Sequence, residues 1–393
     1  MRVVHEGEGS APSGDLDAAW EDPQTFAYLP RKSGGQGDWV ARTLELVPEP
    51  LRRDHFALLS SGSTGEPKLV FGSRDRARRL ARVLHDAQES EPVRRTVGLL
   101  PLTYSYAFVN QWLWAKEHGR EFLQTAGFSD PEAVGQVLEH ADDAMICLVA
   151  GHVPLLERQL AGRVFPGILR VHFAGGRFPQ ERLSAVSRTF PNAAIFNNYG
   201  CVEAMPRLTL RRAEAAESAA DVGRPLPGVE LRRSPGGALL FRSPYAAAGF
   251  CDSAGFHAIG EEDWVPTGDC GHSGEDGRWI LEGRAGEVFK RYGVKISPPL
   301  VLDSVSSAWS GEGAFYYETD SLGEMGHVLL LAPHPGKEEL QAILSVLRRE
   351  HPRTHWPLRI ESAPALPSLP NGKFDAAAAS ALEGRKIEWS QRI

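Results

Sequence analysis

The chain predicts an α/β fold, with helices layered on sheets over its first two thirds and a smaller α+β portion at its end. The strand signals are Thr96–Leu100, Ala144–Val149, Ile168–Phe173 and Ala193–Phe196, short apolar runs with β-branched content. Helical patterns separate some of them, at Leu155–Leu160 and Glu181–Phe190. A change of texture is the third observation. From about Asp221 to Ile280 the sequence turns to short strands broken by Gly and Pro, as in a small β-barrel or distorted sheet.

The remaining elements follow in order. His55–Leu59 reads as a short apolar strand. Arg74, Arg76, Arg78, Arg79 and Arg82 interleave with Ala77, Leu80, Ala81 and Leu84 at helical spacing, which predicts an amphipathic helix with the arginines on its wet face. After Arg284, His327–Ala332 is strand-like, Lys337–Arg349 is an amphipathic helix, and Leu358–Ile360 is strand-like again. There is no internal repeat.

Composition bounds the function. The 393 residues are 42% hydrophobic and 24% charged, an ordinary globular balance with room for two or three domains. A net charge of −7 leaves no basic footprint for nucleic acid. Cys147, Cys201, Cys251 and Cys270 have neither metal-ligand spacing nor disulfide-scaffold density, so a reducing cytoplasm is expected. Met1–Asp17 is polar and Gly-rich, and no apolar run reaches membrane-spanning length; no membrane association is expected.

The chemistry concentrates at Ser60-Ser61-Gly62-Ser63-Thr64-Gly65-Glu66-Pro67-Lys68, directly after the His55–Leu59 strand. Glycines let a backbone approach a ligand closely, and hydroxyls and an ammonium donate to anionic oxygens, so the segment is suited to cradle a polyphosphate. It is not the P-loop of kinases and GTPases, which needs four residues between its glycines where Gly62 and Gly65 have two. By itself such a Gly/Ser cluster is equally a flexible turn. Further on, Tyr199 and Glu203 offer a ring and a carboxylate four residues apart, suited to stacking on a base and to holding Mg²⁺. Thr267-Gly268-Asp269 places a carboxylate in a turn where it can accept from a diol. Gly283-Arg284 follows, and Asn371-Gly372-Lys373 puts a lysine on a turn near the C-terminus. Taken singly, each of these is an ordinary buried or solvated group.

Their order resembles the adenylate-forming superfamily of acyl-CoA synthetases, non-ribosomal adenylation domains and luciferases. The phosphate loop Ser60–Lys68, an aromatic acyl-pocket segment Pro101–Ala107, Gly175-Gly176, Tyr199–Glu203, Thr267–Asp269, Gly283 onward and Asn371–Lys373 match that family's motifs in sequence. The resemblance implies a large N-terminal domain, residues 1–285, which includes the β-barrel-like portion, and a small mobile C-terminal domain, residues 286–393. It implies ATP with Mg²⁺ and a small carboxylic acid as substrates. Ser60, Ser61, Gly62, Ser63, Thr64, Gly65 and Lys68 would hold the departing pyrophosphate. Gly175, Gly176, Asn198, Tyr199 and Gly200 would line the nucleotide, Asp269 and Arg284 would grip the ribose, and Glu203 would hold the metal. Lys373 would touch the carboxylate and the α-phosphate, and Gly286 would stand at the hinge.

Tyr104, Ser105 and Tyr106 stand in the acyl pocket. The Asp that amino-acid-activating relatives place there is missing, which points to an aryl or acyl acid rather than an α-amino acid. The acceptor is expected to be the thiol of CoA or of a carrier-protein phosphopantetheine; an amine or hydroxyl acceptor, or a non-catalytic nucleotide-binding role, remains open. Three positions depart from the pattern: Val202 replaces a Thr, Gly286 an Asp or Lys, and Ala376 an Arg. A lost hydroxyl donor at Val202 removes about 2.7–4 kcal/mol of transition-state stabilisation if nothing replaces it. Only 59 residues precede Ser60. Part of the N-terminal sheet layer is therefore expected to be missing or supplied by another subunit, and the apolar surface of a half-built layer would favour a homodimer.

Overall fold

The computed structural model describes residues 1–7, 13–31, 36–61, 67–214, 218–291, 294–321, 323–367 and 374–391. They form two compact units, one of Met1–Thr267 with Ser273–Ile280, the other of Gly268–His272 with Leu281–Ile393. The chain passes between them along the strands Val265–Ser273 and Trp279–Arg284. No helix among the described residues is long and apolar enough to cross a membrane.

The first unit contains a six-stranded sheet. Arg2–His5, Phe26–Leu29 and His55–Ser61 run parallel; Pro67–Ser73 returns antiparallel to His55–Ser61, and the hairpin Gly249–Asp252 and Gly255–Ala258 completes the order. All four side chains of Phe26–Leu29 are buried, as a strand covered on both faces requires. One face packs on Val40, Leu44 and Val47. On the other side Phe56 stacks on Phe108 at 4.8 Å between ring centroids, and Trp20 meets both rings. The half-built layer expected from the short N-terminal stretch is not found. Residues ahead of Ser60 supply two strands and the helices Ser13–Glu21 and Gln36–Glu45, so the apolar strand faces are covered within the chain.

A larger sheet holds the parallel strands Ala194–Tyr199, Ile168–Phe173, Ala144–Leu148, Arg95–Gly98 and Glu121–Gln124 in that spatial order. The short strands after Asp221 extend it antiparallel, through Thr209–Arg212 and Asp221–Pro225. Crossover helices Pro131–Glu139, His152–Gln159 and Leu183–Thr189 bury Val134, Leu138, Val153, Leu156 and Val186 against one apolar cluster. Pro131–Glu139 starts where it does because the Asp130 side chain accepts from the Ala133 N–H at 3.1 Å and Pro131 presets the first turn.

The arginine-rich segment is helical over Arg74–Ala87, with Ser73 as its cap. Arg74 departs from the predicted wet face. It lies at the helix start against the end of Ser13–Glu21, buried, and its guanidinium donates to the carbonyls of Trp20, Asp22 and Gln24 at 3.0, 2.5 and 2.7 Å. The strand predicted to end at Phe196 continues through Tyr199, because Thr209–Arg212 pairs with it.

The second unit is a four-stranded sheet of Glu312–Thr319, Met325–Ala332, Arg359–Ser362 and Lys386–Ser390. Helices Pro298–Ala308 and Lys337–Glu350 cover one face through Val301, Val305, Ile343 and Leu347. Ala376–Ala381 packs on the other through Ala379, beside Tyr316 and Val328.

Candidate functional site

Two segments far apart in sequence meet in the first unit. His55–Ser61 and Pro67–Ser73 pair antiparallel with Ser60 opposite Lys68 and Ser61 opposite Pro67, so residues 62–66 join two adjacent strand ends. Gly62, Ser63, Thr64 and Gly65 lie outside the described residues, as does the side chain of Ser61. Lys68 Nζ stands 3.6 Å from Glu203 Oε1, with the side chains 24% and 16% exposed. The ammonium also lies 4.7 Å over the ring of Phe250. A part-exposed carboxylate beside a cation at a strand end is open to a charged ligand and is not locked into the core. Glu203 sits in the single turn Val202–Ala204, closed by Met205 in the left-handed region. Its carbonyl accepts from the Ala247 N–H at 2.8 Å.

The strand ahead of that turn holds Asn198 and Tyr199. Asn198 is buried; its amide donates to the Phe173 carbonyl at 3.0 Å, tying two parallel strands together. Tyr199 ends the strand with its side chain largely buried. Gly200 has a packing reason to be glycine, since a Cβ there would meet the Pro206 carbonyl oxygen at 1.9 Å. Gly175 and Gly176 follow the end of Ile168–Phe173 and are exposed; Gly175 has φ +78° and Gly176 faces open space. Both lie off the carboxyl end of a parallel strand, the edge where open α/β sheets bind ligands.

The segment Pro101–Ala107 splits in two. Tyr104 is 55% exposed, whereas Tyr106, after Ser105 at the start of the helix, is buried with the Arg207 guanidinium 4.6 Å over its ring. The helix continues as the π-helical stretch Phe108–Leu113, which buries Asn110 and Gln111. Asn110 donates to Cys147 Sγ at 3.0 Å, and Gln88 donates to Asn110 at 2.8 Å. Burial pushes the Cys147 thiol up to about 11, raises Tyr106 well above the usual phenol range, and holds His172 well below the usual imidazole range.

In the second unit Arg284 Nε lies 3.1 Å from Asp269 Oδ1. Gly268, at φ +81°, turns the strand just ahead of Asp269, and its carbonyl accepts from the Ala285 N–H at 2.9 Å. Gly286 is exposed in the turn after Arg284, with nothing near its Cβ position. Lys373 lies outside the described residues.

The model of the family described as "AMP-binding enzyme" matches residues 9–233, more than half of the chain. The chain belongs to the AMP-binding enzyme family. Among its relatives is a 2-hydroxy-7-methoxy-5-methyl-1-naphthoate–CoA ligase of Streptomyces carzinostaticus, 32% identical over 161 residues, which are 39% of this chain and 28% of that ligase. The chain thus spans well under two thirds of the length of such curated relatives. Among solved structures, the o-succinylbenzoate CoA synthetase of Bacillus subtilis with its acyl-adenylate intermediate superposes with a TM-score of 0.73 at 18% identity, over 98% of this chain and 88% of that one. The amide bond synthetase McbA of Marinactinospora thermotolerans gives 0.71 at 19%, over 97% and 89%. At these identities the likeness is one of fold.

Two residues of this AMP-binding enzyme went unnoticed in the sequence. Phe250, under the Lys68 ammonium, comes from a distant hairpin and carries no local signal. Arg207 carried one: it is a charge four residues past Glu203, inside the apolar stretch Ala204–Leu208.

Proposed function

We propose that the chain activates a carboxylic acid with ATP and passes the acyl group to a thiol, that of CoA or of a carrier-bound phosphopantetheine. The acid's carboxylate oxygen bonds to the α-phosphorus as the α–β bridge breaks, releasing pyrophosphate and leaving an acyl-adenylate. The thiol sulfur then bonds to the acyl carbon, AMP leaves, and the thiol proton goes to solvent. The observation that carries this reading is the Lys68–Glu203 contact in a chain of the AMP-binding family.

Lys68 is the fixed cation for phosphate oxygens, whose negative charge grows in the transition state. Glu203 suits Mg²⁺, which takes one or two carboxylates and completes its shell with phosphate oxygens and water. The ion would neutralise charge on the leaving pyrophosphate. Tyr199 is assigned to the adenine, Gly175 and Gly176 to the nucleotide backbone, and the Asp269–Arg284 pair to the ribose. Lys373 is assigned to the acid and α-phosphate, and Gly286 to the hinge of a C-terminal domain.

Pyrophosphate release over a panel of carboxylic acids, with and without CoA or a carrier protein, tests the reading. An acid-dependent burst followed by thiol-dependent turnover is expected. Lys373→Ala is expected to abolish release while ATP still binds. Absence of release with every acid, together with undetectable ATP binding, overturns the proposal.

A further inference from the structure

Arg207 is an anomaly in a well-packed core. It is 1% exposed, and among the described residues it alone has all three guanidinium nitrogens buried without a hydrogen-bond partner. The polar groups that interact with it are the Tyr106 hydroxyl and the Cys147 thiol, neither in a hydrogen bond of good geometry to it. Neither is ionised at neutral pH, and His172, close enough to feel the cation, has both ring nitrogens unpartnered and is neutral. The Tyr106 ring attracts a guanidinium, but it offsets only a fraction of what removing the charge from water costs. Arginine keeps its proton in proteins, so the site is a buried, uncompensated positive charge.

A structural role does not account for this. Arg74 in the same unit shows what a structural buried arginine looks like: its terminal nitrogens donate to five backbone carbonyls. Arg207 has no such acceptors. Its neighbour Tyr106 lies in Pro101–Ala107, the segment that the resemblance assigns to the acyl pocket. Its own segment, the connection after Glu203, packs its backbone against Gly200. Cys147 and His172 pair across adjacent parallel strands, one residue short of their carboxyl ends.

We infer that Arg207 receives a second carboxylate of the acid that this enzyme activates, so that its substrate is a dicarboxylic acid. One carboxylate forms the adenylate; the other supplies Arg207 with its counter-ion. This rests on the adenylation reading above and narrows its substrate class. The neutral groups around the cation favour it, because they leave the whole charge for the ligand, and a monocarboxylic analogue leaves that charge unpaired.

The test uses the full chain and matched probes: succinate against butyrate, glutarate against valerate, and the three phthalate isomers against benzoate. Pyrophosphate release is expected to favour at least one diacid over its monoacid by roughly 100-fold in kcat/KM, the scale of truncating one partner of a buried charge pair. Arg207→Met should collapse that ratio towards one, and Arg207→Lys should restore part of it. Ligand-induced shifts in Tm give a readout that needs no turnover: the same diacid should stabilise the wild type and not Arg207→Met. Monoacids turned over or bound as well as every diacid by the wild type overturn the inference while leaving adenylation standing. Loss of ATP binding and of release with every acid overturns the adenylation reading instead, and the Tm shifts then decide the anion site alone. A diacid preference undiminished in Arg207→Met also overturns it.

Discussion

In the second unit the buried Arg291 and the half-buried Arg359 and Arg385 come with counter-ions, whereas the buried Arg207 in the first unit does not. Arg359 forks onto both oxygens of Glu318 at 2.6 and 2.7 Å, and Glu361 joins Arg359, Arg385 and the Tyr316 hydroxyl. The fork holds the Glu318 carboxyl below the usual range and raises Arg359 above it. Arg291 pairs with Asp320 at 2.8 Å, both deeply buried. These charges are held by the fold and hold it in turn. Arg207 is retained against its own desolvation, the pattern of a residue kept for a ligand at the expense of stability.

The comparison breaks most visibly at Glu361. Glu361→Ala takes a buried carboxylate from Arg359, Arg385 and the Tyr316 hydroxyl at once, leaving Arg359 its fork on Glu318, and a loss of about 3–5 kcal/mol in urea unfolding is expected. A loss below ~1 kcal/mol would make the second unit's network as dispensable as a surface pair. Arg207→Met should do the opposite. Removing an unpaired buried charge in favour of an apolar side chain of similar length is expected to stabilise the ligand-free chain by about 1–4 kcal/mol. If Arg207→Met instead destabilises by that amount, Arg207 belongs with the fold-forming arginines and the contrast disappears.

A buried histidine sharpens the comparison through pH. His327, in Met325–Ala332, is lowered to about 3 by burial, with Arg291, His355 and His351 adding repulsion. Its folded pKa lies below its unfolded value of 6.5, so the unfolded chain binds the proton more readily. Stability is therefore full above pH 6.5 and falls as pH drops towards 3. The slope of unfolding free energy in that window should be flatter in His327→Leu by about 1.4 kcal/mol per pH unit. An unchanged slope would mean that His327 takes up its proton without opening the second unit's core.

What the sequence disclosed tracks which forces are local. Ile168–Phe173 and Lys337–Glu350 were legible because apolar periodicity is written along the chain itself. The extension of Ala194–Tyr199 through two asparagines was not, since Asn disfavours strands and the carbonyls that accept its amides belong to distant residues, Phe173 and Asp221. Arg74 looked like its exposed neighbours because nothing local reveals that the helix start abuts the carbonyls of residues 19–24. In the site, the Ser60–Lys68 loop and Glu203 stood out as motif residues. Arg207 showed only as a charge in an apolar stretch, because its lack of partners is visible in the packed structure alone.

The smallest effect is expected at the pair that defines the site. Lys68 and Glu203 are partly exposed and 3.6 Å apart, so solvent screens them, and their coupling in a double-mutant cycle of Lys68→Met and Glu203→Gln should be only about 0.2–1 kcal/mol in unfolding free energy. The Phe250 ring under the ammonium remains in every corner of the cycle and cancels in the coupling to the extent that it acts on Lys68 alone. A weak coupling is what the proposed site needs, because phosphate oxygens would take the lysine and a metal would take the carboxylate without first breaking a strong bond between them. Coupling above ~2 kcal/mol would place the pair with Arg359 and Glu318 as a brace of the fold. Each site charge would then be too tightly engaged by the other to serve a nucleotide.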